Sequence, residues 1–327
     1  MCGILFYKHN DPHKLNVKMD FRKSLAKLIP RGPDDSKVVD FGDIKFGFTR
    51  LAINGLTDDA MQPFFDKNHI LICNGEIYNY KFLANKYNID LHTGSDCEII
   101  IPLYKKIGMK LCDELDGVFA FVLYDKVQHK IYVTRDPYGV RPLFIGSDLY
   151  NNIYISSELK AISDNCFSAK QFYPGYYYEL YSQKYTRYNS ITWDSIIEHQ
   201  DKLCEMIKMN LESAVKKRFM ADVKLGCLLS GGIDSSLICG LVAKYHHNPA
   251  ELKTFSIGLE GSPDLKCAKQ VADHLGTDHH EVIITEQDVI GAIEEVIYTI
   301  ESFDVTTVRA SIGNYLIGKY ITNNTDC

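Results

Sequence analysis

The sequence predicts an α+β layered domain followed by a parallel, doubly wound α/β sheet, and three observations support that order. The chain has 327 residues, about twice the ~150 typical of one domain. Up to about Tyr188 it is a succession of short β-rich runs separated by turn signals. From about Trp193 strands and helices alternate, which is the rhythm of βαβ units. The domains are placed at residues 2–190 and 196–327, with the junction near 189–196.

In the first domain, strands are expected at 2–7, 44–51, 70–73, 117–124, 130–134 and 153–156, where β-branched and aromatic residues cluster. Helical spacing at 17–28 and 97–107 supplies helices to cover the sheets. In the second domain, an amphipathic stretch to Phe219 precedes a strand at 224–229, a helix at 234–245 and a strand at 253–258. A helix at 264–275 and a strand at 281–284 follow.

A net charge of -6, with 46% hydrophobic and 24% charged residues, offers no basic field for nucleic acid. No apolar run approaches the ~20 residues needed to span a bilayer, and the charged segment after Cys2-Gly3-Ile4-Leu5-Phe6 does not read as a secretory signal. A cytosolic protein is expected. The ten cysteines lack CxxC pairs or metal-ligand spacing, so most are expected to be buried thiols and no metal site is assigned.

Cys2 stands apart from the other cysteines because it lies directly behind the initiator methionine. As a chain terminus it would join a thiol to an α-amine of pKa ~7.7–8.0, a nucleophile and a general base in one residue. An arbitrary start of the chain accounts for the same residues equally well. Asn74-Gly75, expected at a strand end, could donate an amide and a backbone N–H to an oxyanion, or simply form a turn. Arg50 offers a planar fork for a carboxylate, or a surface ion pair. Asp96 stands before an apolar run, where a helix cap is the common use of Asp.

The stretch Ser230-Gly231-Gly232-Ile233-Asp234-Ser235-Ser236 follows an apolar strand and opens a helix. Paired glycines there let backbone N–H groups approach a phosphate, and the helix N-terminus favours negative charge. A tight strand–helix turn is the plainer alternative. The string differs from the GxxxxGK[ST] loop and from the spaced glycines of dinucleotide folds.

Cys2-Gly3-Ile4, Arg31-Gly32-Pro33-Asp34, Arg50-Leu51-Ala52, Gln62-Pro63, the run from Asn74 to Asn79 and Asp96 resemble the class II glutamine amidotransferases, members of the N-terminal-nucleophile hydrolases with an αββα sandwich. Arg135-Asp136-Pro137-Tyr138-Gly139-Val140-Arg141-Pro142-Leu143 and Ser156-Ser157-Glu158 extend the likeness. The resemblance implies that Cys2 attacks the glutamine carboxamide, with Asn74 and Gly75 stabilising the oxyanion. It also implies that Arg50 holds the substrate carboxylate, that Asp96 with the backbone of Gly75 and Glu76 holds its amino group, and that Leu51, Ala52, Ile53 and Asn54 line the pocket.

The 230–236 string is similar to the PP-loop of the ATP pyrophosphatases, which implies phosphate contacts from Ser230, Gly231, Gly232, Asp234 and Ser235, with Leu229 and Ile257 beside the nucleoside. Residues 215–220, 258–265 and 304–311 closely resemble glutamine-hydrolysing asparagine synthetases, which implies that Thr306 and Arg309 lie near pyrophosphate. A helix cap and a surface charge are the plain alternatives for that pair. The implied activity is that of a carbon–nitrogen ligase. Aspartate and ATP, accompanied by Mg²⁺, form β-aspartyl-AMP, and ammonia from glutamine displaces AMP through an internal passage. A homo-oligomer is left open.

In those synthetases a further strand and a second phosphate loop follow a helix corresponding to residues 312–321. The sequence ends at Asn324-Thr325-Asp326-Cys327, so a piece of a longer protein, a stand-alone glutaminase and a non-catalytic relative are all kept in view. The last is disfavoured because Cys2, Arg50, Asn74, Gly75 and Asp96 are all present.

Overall fold

The apolar run behind Cys2 becomes a central strand in a computed structural model that describes residues 1–10, 20–189 and 199–327. Two units are distinguished, Met1–Ser195 and Ile196–Cys327. Residues 190–196 of the expected junction and 17–19 of the expected first helix lie outside the described residues.

The first unit runs β1 (Gly3–Lys8), α1 (Phe21–Ala26), β2 (Asp35–Asp40), β3 (Ile44–Arg50), β4 (Phe64–Phe65), β5 (His69–Ile77) and α2 (Tyr80–Tyr87). It continues with α3 (Ile100–Ile107), α4 (Leu111–Glu114), β6 (Gly117–Asp125), β7 (Lys130–Arg135), β8 (Phe144–Ser147) and β9 (Ile153–Ser156). β10 (Ser168–Gln171), β11 (Tyr176–Glu179) and β12 (Lys184–Arg187) complete it. One sheet has the order β10-β8-β9-β1-β3-β2 and the other β12-β11-β7-β6-β5-β4, with neighbouring strands antiparallel in both.

Alternation along the strands builds the layers, because successive side chains point to opposite faces. Ile4 and Phe6 of β1, with Phe46 and Phe48 of β3, meet Ile70, Ile72, Ala120, Val122 and Val133 between the sheets. Leu5 and Tyr7 face the other way, against Phe21, Leu25 and Leu28. Leu71 and Cys73 of β5 likewise turn outward to a helical layer that includes Leu83, Leu103 and Leu111. Each fully buried large apolar side chain contributes about 1.5–3 kcal/mol relative to exposure, so strands buried on both faces hold the helix–sheet–sheet–helix sandwich together.

Several elements depart from the sequence expectation. The strand expected at 70–73 runs on to Ile77, pairing Asn74 with Ala120 and Gly75 with Phe119. Asn74-Gly75 is therefore inside a strand, not in a turn at its end. Gly75 suits that place, because a Cβ there would lie 2.8 Å from both Phe119 Cβ and the Val118 carbonyl oxygen. The helix expected at 97–107 starts as a 3-10 turn over Asp96–Ile99 before α3. β2, β4, β10 and β12, all missing from the sequence reading, are the four sheet edges.

The second unit contains α5 (Gln200–Lys216), β13 (Gly226–Leu228), α6 (Ile233–Tyr245), β14 (Lys253–Leu259), α7 (Pro263–Leu275), β15 (Asp278–Ile284), α8 (Glu286–Gly291), α9 (Ile293–Ile300) and α10 (Val305–Asn324). The three strands form a parallel sheet in the order β13-β14-β15. Thr254, Phe255 and Ser256 of the central strand are buried. Among the described residues, no helix is long and apolar enough to cross a membrane.

Candidate active site

Cys2, Arg50, Leu51, Ile53, Asn54, Asn74, Gly75, Glu76 and Asp96, from separate parts of the first unit, line one cavity of about 40 Å³. Ala52 does not line it; its N–H donates to Asp34 Oδ2 at 2.7 Å. The antiparallel pairing of β1 with β3 sets Cys2 beside Leu51, whose N–H points at Cys2 Sγ over 3.4 Å. Gly3 permits this approach, since a Cβ there would meet Thr49 Oγ1 at 2.5 Å and Leu28 Cβ at 2.9 Å.

Burial pushes the Cys2 thiol up, with the Leu51 backbone acting in the opposite direction. The α-amine of Met1, which lines the same cavity, is lowered to about 6, first by burial, with the nearby Arg31 and Arg141 cations also lowering it. At neutral pH such an amine is largely unprotonated and able to accept a proton.

Arg50 is buried, not paired at the surface. It donates to the Thr57 carbonyl at 3.0 Å and to the Gly55 carbonyl, tying the loop after β3 around its guanidinium. Asp96 does not cap its own turn. Its Oδ2 accepts the Ile77 N–H at 2.6 Å, and Oδ1 accepts the Asn54 amide at 3.3 Å. Burial raises this carboxyl to about 6 against those hydrogen bonds. Asn74 Nδ2 is buried without a hydrogen-bond partner among the described residues.

Gln62, Arg141, Asp136 and Arg31, all within the strings that carry the resemblance, support the site. Gln62 brackets Cys73, donating to its carbonyl at 3.1 Å and accepting its N–H at 2.6 Å. Arg141 pairs with Glu76 at 2.8 Å, and the Asp136 carboxylate gathers the Tyr138, Val140 and Arg141 N–H groups. Arg31 donates to the Cys2 carbonyl at 3.0 Å and to Glu158 at 2.9 Å.

In the second unit, residues 230–232 form the turn between Leu229 and α6. Gly231 has φ +78°, and a Cβ on it would lie 2.5 Å from Ala268 N. Ser230 Oγ and Ser235 Oγ are 2.9 Å apart, and Ser235 Oγ donates to the Gly232 carbonyl at 3.1 Å. Asp234 is exposed on the first turn of α6. Leu229 is buried and its N–H joins the Phe255 carbonyl at 2.8 Å. Ile257 faces α10, where a Cβ on Gly313 would lie 3.8 Å from its Cγ2. Thr306 and Arg309 are exposed near the start of α10, and the cap of that helix is Asp304, which accepts the Thr307 N–H at 2.8 Å. Among the described residues no hydrogen bond joins Thr306 or Arg309 to the 230–236 turn. Nor is there a cluster of three or more His, Cys, Asp or Glu side chains able to hold a metal ion.

Comparison with known proteins places these features in a family. The glutamine amidotransferase domain profile matches residues 1–217, and the asparagine synthase profile matches residues 206–326. Asparagine synthetase [glutamine-hydrolyzing] 1 of Lotus japonicus is 42% identical over 98% of this chain and 56% of its own length. A probable asparagine synthetase of Acanthamoeba polyphaga mimivirus is 38% identical over 100% of this chain and 64% of its own. The chain thus spans about three-fifths of these relatives. An allosteric regulatory enzyme of purine biosynthesis shares the fold, at a TM-score of 0.51 and 16% identity over 96% of this chain and 92% of that one. With its N-terminal-nucleophile sandwich and a short three-stranded parallel sheet, the chain belongs to the glutamine amidotransferase family and is a homologue of the glutamine-hydrolysing asparagine synthetases.

Proposed function

We propose that the first unit hydrolyses glutamine, with Cys2 as nucleophile, and that the protein uses the released ammonia to make asparagine from aspartate and ATP. The observation that carries the reading is the Asn74 amide, a buried donor without a described partner in the cavity that contains Cys2. Leaving such a donor unmade costs about 1–3 kcal/mol, which an oxyanion forming on the substrate would offset.

In this mechanism the Cys2 sulfur, its proton taken by the terminal amine, attacks the carboxamide carbon. Asn74 and the Gly75 N–H hold the oxyanion, the proton passes to the leaving ammonia, and water hydrolyses the thioester to glutamate. Arg50 uses N–H donors not engaged with the loop to bind the substrate carboxylate. Asp96, with the backbone of Gly75 and Glu76, takes the ammonium group, while Leu51, Ile53 and Asn54 shape the wall.

In the second unit, Ser230, Gly231, Gly232, Asp234 and Ser235 would hold the pyrophosphate of ATP, with Leu229 and Ile257 toward the nucleoside and Thr306 and Arg309 toward the phosphates. The donor set of this turn fits a polyanion. Mg²⁺ arrives with ATP, and none of the residues named here is assigned to it. Attack of the aspartate β-carboxylate on the α-phosphate gives β-aspartyl-AMP and pyrophosphate, and ammonia then displaces AMP. A cytosolic location accompanies this reading.

The test measures glutamate, pyrophosphate and asparagine from one preparation. Glutamate release that disappears in Cys2→Ala supports the first half. Asparagine formation that requires both ATP and aspartate supports the second. Because the chain spans only about three-fifths of its relatives, glutamate without asparagine would favour the second reading, a glutaminase alone.

A further inference from the structure

Next to the Cys2 cavity two more thiols meet. Cys97, on the 3-10 turn that begins with Asp96, donates its S–H to Cys73 of β5, the sulfurs being 3.6 Å apart. Both residues border the cavity, while their side chains are buried with the helical layer outside β5. Cys97 Sγ also lies 3.6 Å from the Gly75 carbonyl oxygen and 3.8 Å from Asp96 Oδ2.

We propose that Cys73 and Cys97 are a peroxide-responsive thiol pair whose disulfide weakens glutamine binding at the neighbouring site. The cavity of about 40 Å³ exceeds the ~10–15 Å³ that admits one water, so it has room for hydrogen peroxide but not for a bulky disulfide oxidant. The Cys73 sulfur, acceptor of the S–H bond, attacks one peroxide oxygen. The O–O bond breaks, and a sulfenic acid and one water form. The Cys97 sulfur then attacks Cys73, the S–S bond forms, and the sulfenic oxygen leaves as a second water carrying the remaining thiol proton. Two thiols are oxidised, and one peroxide is reduced to two waters. The S–H bond to Cys73 and burial hold the Cys97 thiol well above its ordinary range, so Cys97 keeps its proton and remains the donor while Cys73 reacts.

A disulfide is about 2.05 Å long, so the sulfurs must close by roughly 1.5 Å from their 3.6 Å separation. Gln62 clamps the Cys73 backbone on both its N–H and its carbonyl, so most of the movement falls on Cys97. Asp96 is its chain neighbour and would be drawn away from Ile77 and Asn54. The inference rests on the glutaminase reading, which assigns Asp96 to the substrate ammonium.

The experiment uses the Cys2→Ala chain, so that oxidation of the nucleophile cannot interfere. After treatment with hydrogen peroxide, removal of the peroxide with catalase and alkylation under denaturing conditions, peptide mapping should find Cys73 cross-linked to Cys97, and dithiothreitol should reverse the link. Calorimetry should find glutamine bound about tenfold more weakly after oxidation, the scale of one lost charge-assisted contact. Cys73→Ser and Cys97→Ser, each in the same background, should show neither change. If reduced protein binds glutamine but no cross-link forms, or if the cross-link leaves affinity unchanged, the proposal is overturned. If reduced Cys2→Ala does not bind glutamine at all, the glutaminase reading fails instead, while the cross-link remains independently measurable.

Discussion

Asp96 Oδ2 accepts the Ile77 N–H at 2.6 Å, although Asp96 and Ile77 lie nineteen residues apart. The bond fixes a buried carboxyl beside the backbone of β5 and explains why Asp96 is not used as a helix cap. A carboxyl with two such acceptor roles would ordinarily titrate low, but burial raises it to about 6.

That value has opposite consequences for stability and for substrate. The folded protein holds this proton more tightly than the unfolded chain, so the contribution of Asp96 to stability is full below its ordinary 3.8 and is lost as pH rises to about 6. In its proposed role as partner of the substrate ammonium, Asp96 acts in the ionised form. The KM for glutamine should therefore rise as pH falls through about 6. Asp96→Asn should raise KM about 10- to 100-fold at pH 7 and show little further change at lower pH. Parallel KM profiles for wild type and variant from pH 5 to 8 would remove Asp96 from ammonium binding.

Asn74 and Arg50 are expected to separate by kinetic parameter. Asn74→Ala should lower kcat by about 10²–10³ with KM nearly unchanged, because it removes a donor used in the transition state. Arg50→Lys should act mainly on KM, since a point charge cannot reproduce a planar fork. It should also lower the melting temperature, because Arg50 anchors the loop through Thr57 and Gly55. Steady-state kinetics with thermal unfolding check both, and effects confined to KM in both variants would contradict the division of roles.

Met1 occupies part of the Cys2 cavity wall and carries the α-amine. Its removal should leave Cys2 with its own amine as base, so active protein should lack Met1 by mass spectrometry. Cys2→Ala should abolish glutamate release. Full activity in protein that retains Met1 would show that the base need not belong to Cys2.

Residue type marked Cys2, Asn74, Gly75, Arg50 and Asp96 as candidates but left each with a plain alternative, and the resemblance to the amidotransferases is what singled them out together. Their convergence in space was not legible, since it depends on the β1–β3 register and on a β5 that extends through Asn74. Near-continuous apolar, β-rich runs revealed interior strands such as β1 and β6, buried on both faces. No such run marks β2 or β10, whose residues are largely exposed, because an edge strand pairs on one side and need not be buried. Arg141 and Gln62 stayed silent for a different reason. Their partners, Glu76 and the Cys73 backbone, are brought near only by the fold.

Gly231 and Gly232 are adjacent in sequence but should differ in tolerance to a methyl group. Gly231 sits at φ +78°, and a Cβ on it would fall 2.5 Å from Ala268 N, a backbone atom of α7 that cannot swing aside. Gly232, at φ -71°, has ordinary extended backbone, and the nearest atom to its added Cβ would be Ser230 Oγ at 3.5 Å. Gly231→Ala should therefore cost about 1–3 kcal/mol in the second unit, whereas Gly232→Ala should remain near wild type in stability. Hydrogen exchange across residues 226–275 checks this without any ligand, and glutamate release at Cys2 serves as an internal control on the first unit. Equal protection in the two variants would show that the turn relaxes around Gly231 and that its left-handed backbone is not what the glycine is there to supply.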